Sequence, residues 1–427
     1  MIYSENIFGI KKCIFNLRVL ISVFFKFLPE LFSGKITVVH FFKFLKRMLY
    51  FFSKMQHNKF VKIGNYTRIG LYIPGFTSEA FWTACRKFLV FNEKLPCATA
   101  LISITSACRY DCCLCYQRLD KGKDVDIDIL LEIIKKLQDK GIAFFNIEGG
   151  EPFLVYERLK KVCSVIDRRS EIWINSTGDG ITLERLKELK NLNVTAIMFS
   201  MHFSAEAKTN KFMGKNDAYS VMLAGIENCH SAGIAVALNA CLQKEGFING
   251  EFQKIMEKAK DLKAVYIQLI KPKSAGKWLS SGADNFEVAE LENIKKLVDK
   301  YNKSAEYQEY PPISAQIIEE DKGVFGCTAG GTERFYINAK GDLQPCEFLN
   351  ISFGNISDLN FEERYRLMRD AFHTPCCDWL CEKYSNEILK VYKENDLESL
   401  PLSPEFSKEI FNNWDRGNNT QLYKRMK

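Results

Sequence analysis

Between about Ala98 and Tyr301 the chain alternates short runs rich in β-branched and aromatic residues with longer stretches whose apolar positions recur every three or four residues. The short runs, Thr99–Thr105, Ala143–Ile147, Ile172–Asn175, Ala196–Phe199, Ile234–Asn239 and Val265–Ile270, predict strands. The longer ones predict helices over Ile127–Asp139, Val155–Arg169, Leu183–Leu189, Tyr219–Ser231, Gly250–Leu262 and Asn285–Tyr301, with Gly141 and Gly233 closing two of them. Strand, helix and strand in succession build a parallel βαβ unit, because the chain needs a long return to bring the next strand alongside. The series predicts an α/β domain, either an open sheet or one curved into a barrel. Beyond Tyr301 the rhythm stops: Tyr310-Pro-Pro marks a linker, and the remainder is irregular and punctuated by cysteine.

The leader follows a different pattern. Over Ile36–Met55, Phe41, Phe44, Leu45, Met48 and Phe52 fall at helical spacing, with Lys43, Lys46, Arg47 and Lys54 largely between them. A basic amphipathic helix of this kind either covers the wall of its own protein or makes peripheral contact with an anionic membrane. Packing is the expectation, since apolar stripes are usually core. The apolar run Val19–Leu28 is broken by Lys26 and followed by Pro29-Glu30. It is too short to span a bilayer and lacks the small-residue pattern of a cleaved signal. Ile69-Gly-Leu-Tyr-Ile-Pro-Gly reads as a strand-to-turn entry into the main domain.

Composition narrows the class. At 427 residues, 47% apolar and 26% charged, the chain has room for two or three domains and is not a disordered polymer. The net charge of +7 is uneven: residues 1–63 hold eleven Lys/Arg against Glu5 and Glu30, so the leader is +9 and the rest −2. No nucleic-acid-reading motif accompanies that charge, and nucleic acid is not an expected partner. The fifteen cysteines are bunched rather than laddered: Cys108, Cys112, Cys113 and Cys115 crowd together, and five more fall between Cys327 and Cys381. Such bunching predicts metal chemistry in a reducing compartment, the cytoplasm. Cys13, Cys85, Cys97, Cys163, Cys229 and Cys241 read as small buried hydrophobes.

The chemistry gathers where strands end. Cys108-Arg-Tyr-Asp-Cys112-Cys-Leu-Cys115 follows the first strand. Three thiolates on one tight loop hold three corners of an iron–sulfur cube and leave one iron open, whereas structural zinc wants four protein ligands. The second strand ends in Glu148-Gly149-Gly150-Glu151-Pro152, where paired glycines let a ligand approach the backbone and proline stiffens the exit. Asn175-Ser176-Thr177-Gly178 ends the third, and Ser200 and His202 the fourth. Asn239 ends the fifth, and Gln268 and Lys271 lie on the sixth. On a barrel these positions share the carboxyl-end rim, where active sites collect.

The C-x3-C-x2-C triplet, followed about thirty residues later by Gly-Gly-Glu-Pro, resembles the radical S-adenosylmethionine (radical SAM) enzymes. The resemblance implies a partial (β/α)6 TIM-like barrel over 98–305, between a helical leader (1–97) and a small cysteine-rich extension with its tail (306–427). It implies a [4Fe–4S] cluster on Cys108, Cys112 and Cys115 with S-adenosylmethionine at the open iron. Gly149, Gly150, Glu151, Pro152, Asn175 and Ser200 would bind that cofactor, Glu151 and backbone carbonyls facing its amino group. Cys113 is then a bystander. Leu114 stands where the family commonly has an aromatic residue near adenine, with Tyr116 just beyond. The implied reaction is reductive cleavage to a 5′-deoxyadenosyl radical that takes hydrogen from a substrate, fed by a flavodoxin- or ferredoxin-like donor.

Cys327-x13-Gly341-x4-Cys346 resembles the opening of SPASM and shortened twitch extensions, and the segment between reads as a hairpin turning at Gly341. That implies one auxiliary [4Fe–4S] cluster on Cys327, Cys346 and Cys381, with Cys377 or its neighbour Cys376 as the fourth ligand. Zinc on the same four is the alternative. Enzymes with such extensions often modify peptides, so a peptide or protein substrate is expected. Oxidation or rearrangement of a small molecule is the rival within enzymes, and a non-catalytic iron–sulfur or zinc scaffold the rival outside them. No catalytic acid or base is singled out.

Overall fold

The computed structural model describes residues 4–89, 97–281, 286–358, 360–372 and 378–426. A small antiparallel sheet, β1 (Ser4–Ile7), β2 (Phe60–Ile63) and β3 (Tyr66–Arg68), belongs to the leader. The main sheet is built on β4 (Thr99–Ser103), β5 (Phe144–Glu148), β6 (Glu171–Ser176), β7 (Val194–Ser200), β8 (Ala235–Cys241) and β9 (Tyr266–Ile270). These six are parallel and lie side by side in chain order. Each coincides with an expected strand to within a few residues, and the helices between them fall where expected. Two helices, Glu206–Met213 and Lys244–Ile248, were not anticipated. The architecture is the partial (β/α)6 barrel.

Later strands extend the same sheet at both edges. β10 (Ile313–Ala315) pairs parallel with β9, and β11 (Arg334–Ile337) pairs parallel with β4. β12 (Leu343–Gln344) returns antiparallel to β11. The reversal uses Gly341 at φ +91°, a left-handed conformation that glycine adopts without strain, as expected of the hairpin.

Period-two alternation sorts each barrel strand. Phe145, Ile147, Ile174, Ile197, Val236 and Ile267 face outward into the core beneath the helices. Their neighbours Phe144, Trp173, Ala196, Met198, Ala237 and Tyr266 form a separate apolar cluster inside the barrel. That interior cluster is completed by the leader: Val61 and Leu71 pack into it. Arg68 forms a buried ion pair with Glu171 and lies 4.7 Å over the Trp173 ring. The Glu171 carboxylate also accepts from Trp173 Nε1 (2.8 Å), Thr195 Oγ1 (2.8 Å) and the Gly75 amide (3.2 Å). A buried charge pair is tolerated only when its remaining capacity is satisfied in this way. The leader thus stoppers the amino end of the barrel.

The rest of the leader is a helical hairpin, α1 (Gly9–Phe32) and α2 (Val38–Lys54). The expected stripe on α2 does pack inward: Phe41, Phe44, Met48 and Phe52 are buried and Leu45 half-buried. α1 is longer than the sequence suggested, running through Pro29 to Phe32. Proline so near the carboxyl end costs little of the ladder, and its own carbonyl accepts from the Ser33 amide (2.9 Å). Among the described residues no helix is long and apolar enough to cross a membrane.

Candidate functional site

The inward alternation changes character toward the carboxyl ends of the strands. Below it is mostly apolar; toward the rim the inward positions include Glu148, Asn175, Ser200, Asn239 and Gln268, and all line one cavity of about 270 Å³. Register places them together: Ser200 pairs with Asn239, and Asn239 with Gln268. The Asn239 amide donates to Gln268 Oε1 (3.3 Å), and Gln268 Nε2 donates to Tyr72 Oη (2.8 Å). Tyr72 therefore reaches the cavity from the leader, and no local signal in residues 69–75 announces it.

Cys108, Cys112 and Cys115 line the same cavity and are partly buried, while Cys113 is exposed and does not line it. The loop is pinned from outside. The Asp111 and Cys113 amides donate to the carbonyls of Met213 (3.0 Å) and Phe212 (3.1 Å), and the Lys277 amide donates to the Cys115 carbonyl (3.0 Å). Burial pushes the Cys108 thiol up to about 11 and the Cys112 thiol up to about 12, with neighbouring thiols adding to the effect. A metal centre is what would make these groups thiolates. Among the described residues no three Cys, His, Asp or Glu side chains converge as ligands of a single ion. A cluster does not require that, because each thiolate binds a different iron.

The Gly-Gly-Glu-Pro segment packs against the cysteine loop. A Cβ on Gly149 would stand 2.6 Å from the Thr105 carbonyl oxygen, and one on Gly150 only 2.2 Å from that of Ala107. The Gly150 and Glu151 amides donate to those two carbonyls at 2.7 and 2.8 Å. In this structure the backbone that needs the missing side chains is the start of the cysteine loop itself. Both glycines also line the cavity; Glu151 and Pro152 do not. The Glu151 carboxylate is buried and accepts four bonds, from the Phe153 amide (3.1 Å), Ser176 Oγ (2.9 Å), the Thr177 amide (2.7 Å) and Thr177 Oγ1 (2.6 Å). It ties the end of β5 to the end of β6. Burial still outweighs those donors and lifts its pKa to about 7.

Other rim residues divide between cavity and framework. His202 lines the cavity, but its Nδ1 accepts from the Cys241 amide (3.0 Å), and burial lowers its pKa to about 4. Lys271 turns away to Glu382 (3.0 Å), a partner shared with Lys273. Leu114 and Tyr116 both line the cavity, Tyr116 edge-on to Tyr336 and Phe348. The sequence marks Glu148 only as the first residue of its motif. Its Oε2 accepts from Asn146 (3.2 Å) and Asn175 (2.9 Å), while Oε1 is buried without a partner. Desolvation, reinforced by Glu347, raises Glu148 to about 8.

Cys327, Cys346 and Cys381 come together, all buried, around a second cavity of about 10 Å³ with Arg334 and Glu320. Arg334 pairs with Glu320 (2.6 Å) and approaches Cys346 Sγ (3.9 Å), whose thiol donates to Glu347 (3.1 Å). Phe348 lines both cavities. Cys376 and Cys377 lie outside the described residues.

Three thiols and a polar rim thus share one cavity at the carboxyl end of a partial barrel. Residues 102–262 match the Radical SAM superfamily model, so this part of the chain is a radical SAM domain. Among similar proteins, GTP 3′,8-cyclase of Aliarcobacter butzleri is 24% identical over 258 residues, 57% of this chain and 78% of the relative. AdoMet-dependent heme synthase of Nitratidesulfovibrio vulgaris is 24% identical over 253 residues, 55% and 68% of the two. Among solved structures, SuiB of Streptococcus suis bound to precursor peptide SuiA aligns with TM-score 0.52 at 16% identity, covering 67% of this chain and 69% of that one. That likeness is one of fold.

Proposed function

We propose that this radical SAM enzyme abstracts hydrogen from a peptide or protein substrate, using Cys108, Cys112 and Cys115 as the ligands of its [4Fe–4S] cluster. When bound, the cluster and S-adenosylmethionine supply the 5′-deoxyadenosyl radical, after an electron arrives from a flavodoxin- or ferredoxin-like donor. The observation that carries the reading is the shared cavity: the three thiols face Gly149, Gly150, Asn175 and Ser200 across it. In this reading Gly149, Gly150, Asn175 and Ser200 position the cofactor, and Glu151 is a positioning residue that locks the β5 and β6 ends beneath it. Leu114 and Tyr116 form the apolar wall, and the stoppered floor excludes water from below.

The division into a leader (1–97), a barrel (98–305) and an extension (306–427) belongs to the same proposal. So does one auxiliary [4Fe–4S] cluster on Cys327, Cys346, Cys381 and Cys377. Its donor set is right, and Phe348 would lie between it and the substrate. Zinc on the same thiols is the second reading there, since four thiolates suit it equally well. A peptide substrate is supported by the fold shared with SuiB. A small-molecule substrate is supported by the cyclase and heme synthase relatives. Anaerobic reconstitution with iron and sulfide, followed by metal counting and a 5′-deoxyadenosine assay, tests the core. Two clusters with nucleoside formation are expected. No labile sulfide and no 5′-deoxyadenosine would leave only a scaffold.

A further inference from the structure

α1 is apolar on two opposite sides, and the fold covers only one of them. Phe15, Val19, Val23 and Phe27 point into the leader core. The opposite face carries Ile10, Ile14, Leu17, Ile21, Phe25 and Phe32 at helical spacing, all exposed, with Ile10 at 77%, Phe25 at 64% and Phe32 at 81%. On α2, Val38, Val39, Phe42 and Leu49 are exposed as well. Ten of the fourteen exposed large apolar side chains among the described residues thus fall between positions 10 and 49, so this is a local feature and not the ordinary scatter of a protein surface. With a rise of 1.5 Å per residue, the α1 stripe is about 33 Å long.

Charge identifies the occupant. Residues 9–57 hold nine Lys/Arg and a single acid, Glu30, which is already paired with Arg86. Lys12 and Arg47 are spent inside on backbone carbonyls of Gln56, Asn58 and Met426. Lys35, Lys43 and Lys46 are exposed beside the apolar faces, while Lys11 pairs with Glu5 (3.5 Å) and Arg18 and Lys26 lie over the Phe76 and Trp82 rings. A second copy of the chain would bring two cationic hairpins together without an acidic counterpart. Neither helix is both long and apolar enough to cross a bilayer. Apolar side chains beside a cationic rim match the headgroup and acyl boundary of an anionic bilayer, where an interfacial helix lies flat.

We propose that the α1–α2 hairpin docks the enzyme on an anionic lipid surface, apolar faces in the acyl boundary and exposed lysines among the headgroups. The test is flotation of the full-length protein with phosphatidylcholine vesicles, with and without phosphatidylglycerol. The wild type is expected to float with the anionic vesicles only, and to be released as salt screens the lysines. Ile14→Ser/Phe25→Ser and Lys43→Glu/Lys46→Glu should each lower partitioning at least about tenfold. Both pairs are exposed, so melting temperatures should match the wild type, which separates lost binding from lost folding. Absence of flotation, equal flotation of the variants, or equal binding to both vesicle types would overturn the proposal. A dimer seen by light scattering without lipid and dispersed by Ile14→Ser/Phe25→Ser would reassign the face to a second copy.

Discussion

The two groups of thiols are assembled in opposite ways. Cys108, Cys112 and Cys115 share one loop, stay partly exposed and face a cavity of about 270 Å³. Cys327, Cys346 and Cys381 come from three separate segments, are buried, and surround about 10 Å³ beside the Arg334 guanidinium. On the reading proposed above, the contrast separates two duties. A centre that must admit and release a small molecule needs open space beside its ligands. A centre that only has to stay in place can be walled in, with its ligands spread along the chain to staple it.

Breaking each half of the comparison gives the largest effects. Cys112→Ala should lower 5′-deoxyadenosine formation by more than about 100-fold, measured chromatographically under reducing conditions without substrate. Cys346→Ala should leave that abortive cleavage within about twofold of wild type yet stop substrate turnover, with about four of some eight irons lost per chain. Full turnover by the Cys346→Ala enzyme would mean the second site has no part in the reaction. Zinc in place of the lost iron in wild-type preparations would assign it to a structural ion.

Gly150→Ala sharpens the first half. Its added methyl meets the Ala107 carbonyl, so the cysteine loop must shift, at a cost of about 1–3 kcal/mol by denaturant titration and a drop in cluster occupancy. The smallest effect concerns Glu148. Its carboxyl is held at about 8, above the usual carboxylate value of 4.5. The native state therefore keeps a proton that the unfolded chain releases, and stability falls as pH rises from about 4.5 to about 8. Glu148→Gln, a mimic of the protonated form, should melt with the wild-type apoprotein at pH 5 and above it at pH 8. A parallel pH profile for the two proteins would place the titration elsewhere.

The barrel was legible because its signals are local. Each strand and helix carries its own period, and the cysteine loop and Gly-Gly-Glu-Pro each lie within a few consecutive residues. The Gly341 hairpin was readable for the same reason. What stayed hidden depends on partners distant in the chain. Arg68 makes sense only beside Glu171, and Tyr72 only beside Gln268. The Gly-Gly-Glu-Pro motif does not announce that Glu151 accepts from Ser176 and Thr177. Lys271 looked available on the rim, yet Glu382 claims it. α1 escaped notice because two apolar faces blur the period that one face would display, and Pro29 imitates a helix end. The extra strands β10 and β11 are three and four residues long, too short for an alternating pattern to stand out.

The stopper formed by Val61, Arg68 and Leu71 closes the amino end, so on the reading proposed above traffic is confined to the carboxyl rim. There the nucleoside would be seated before a larger reactant covers it, and its fragments would leave last.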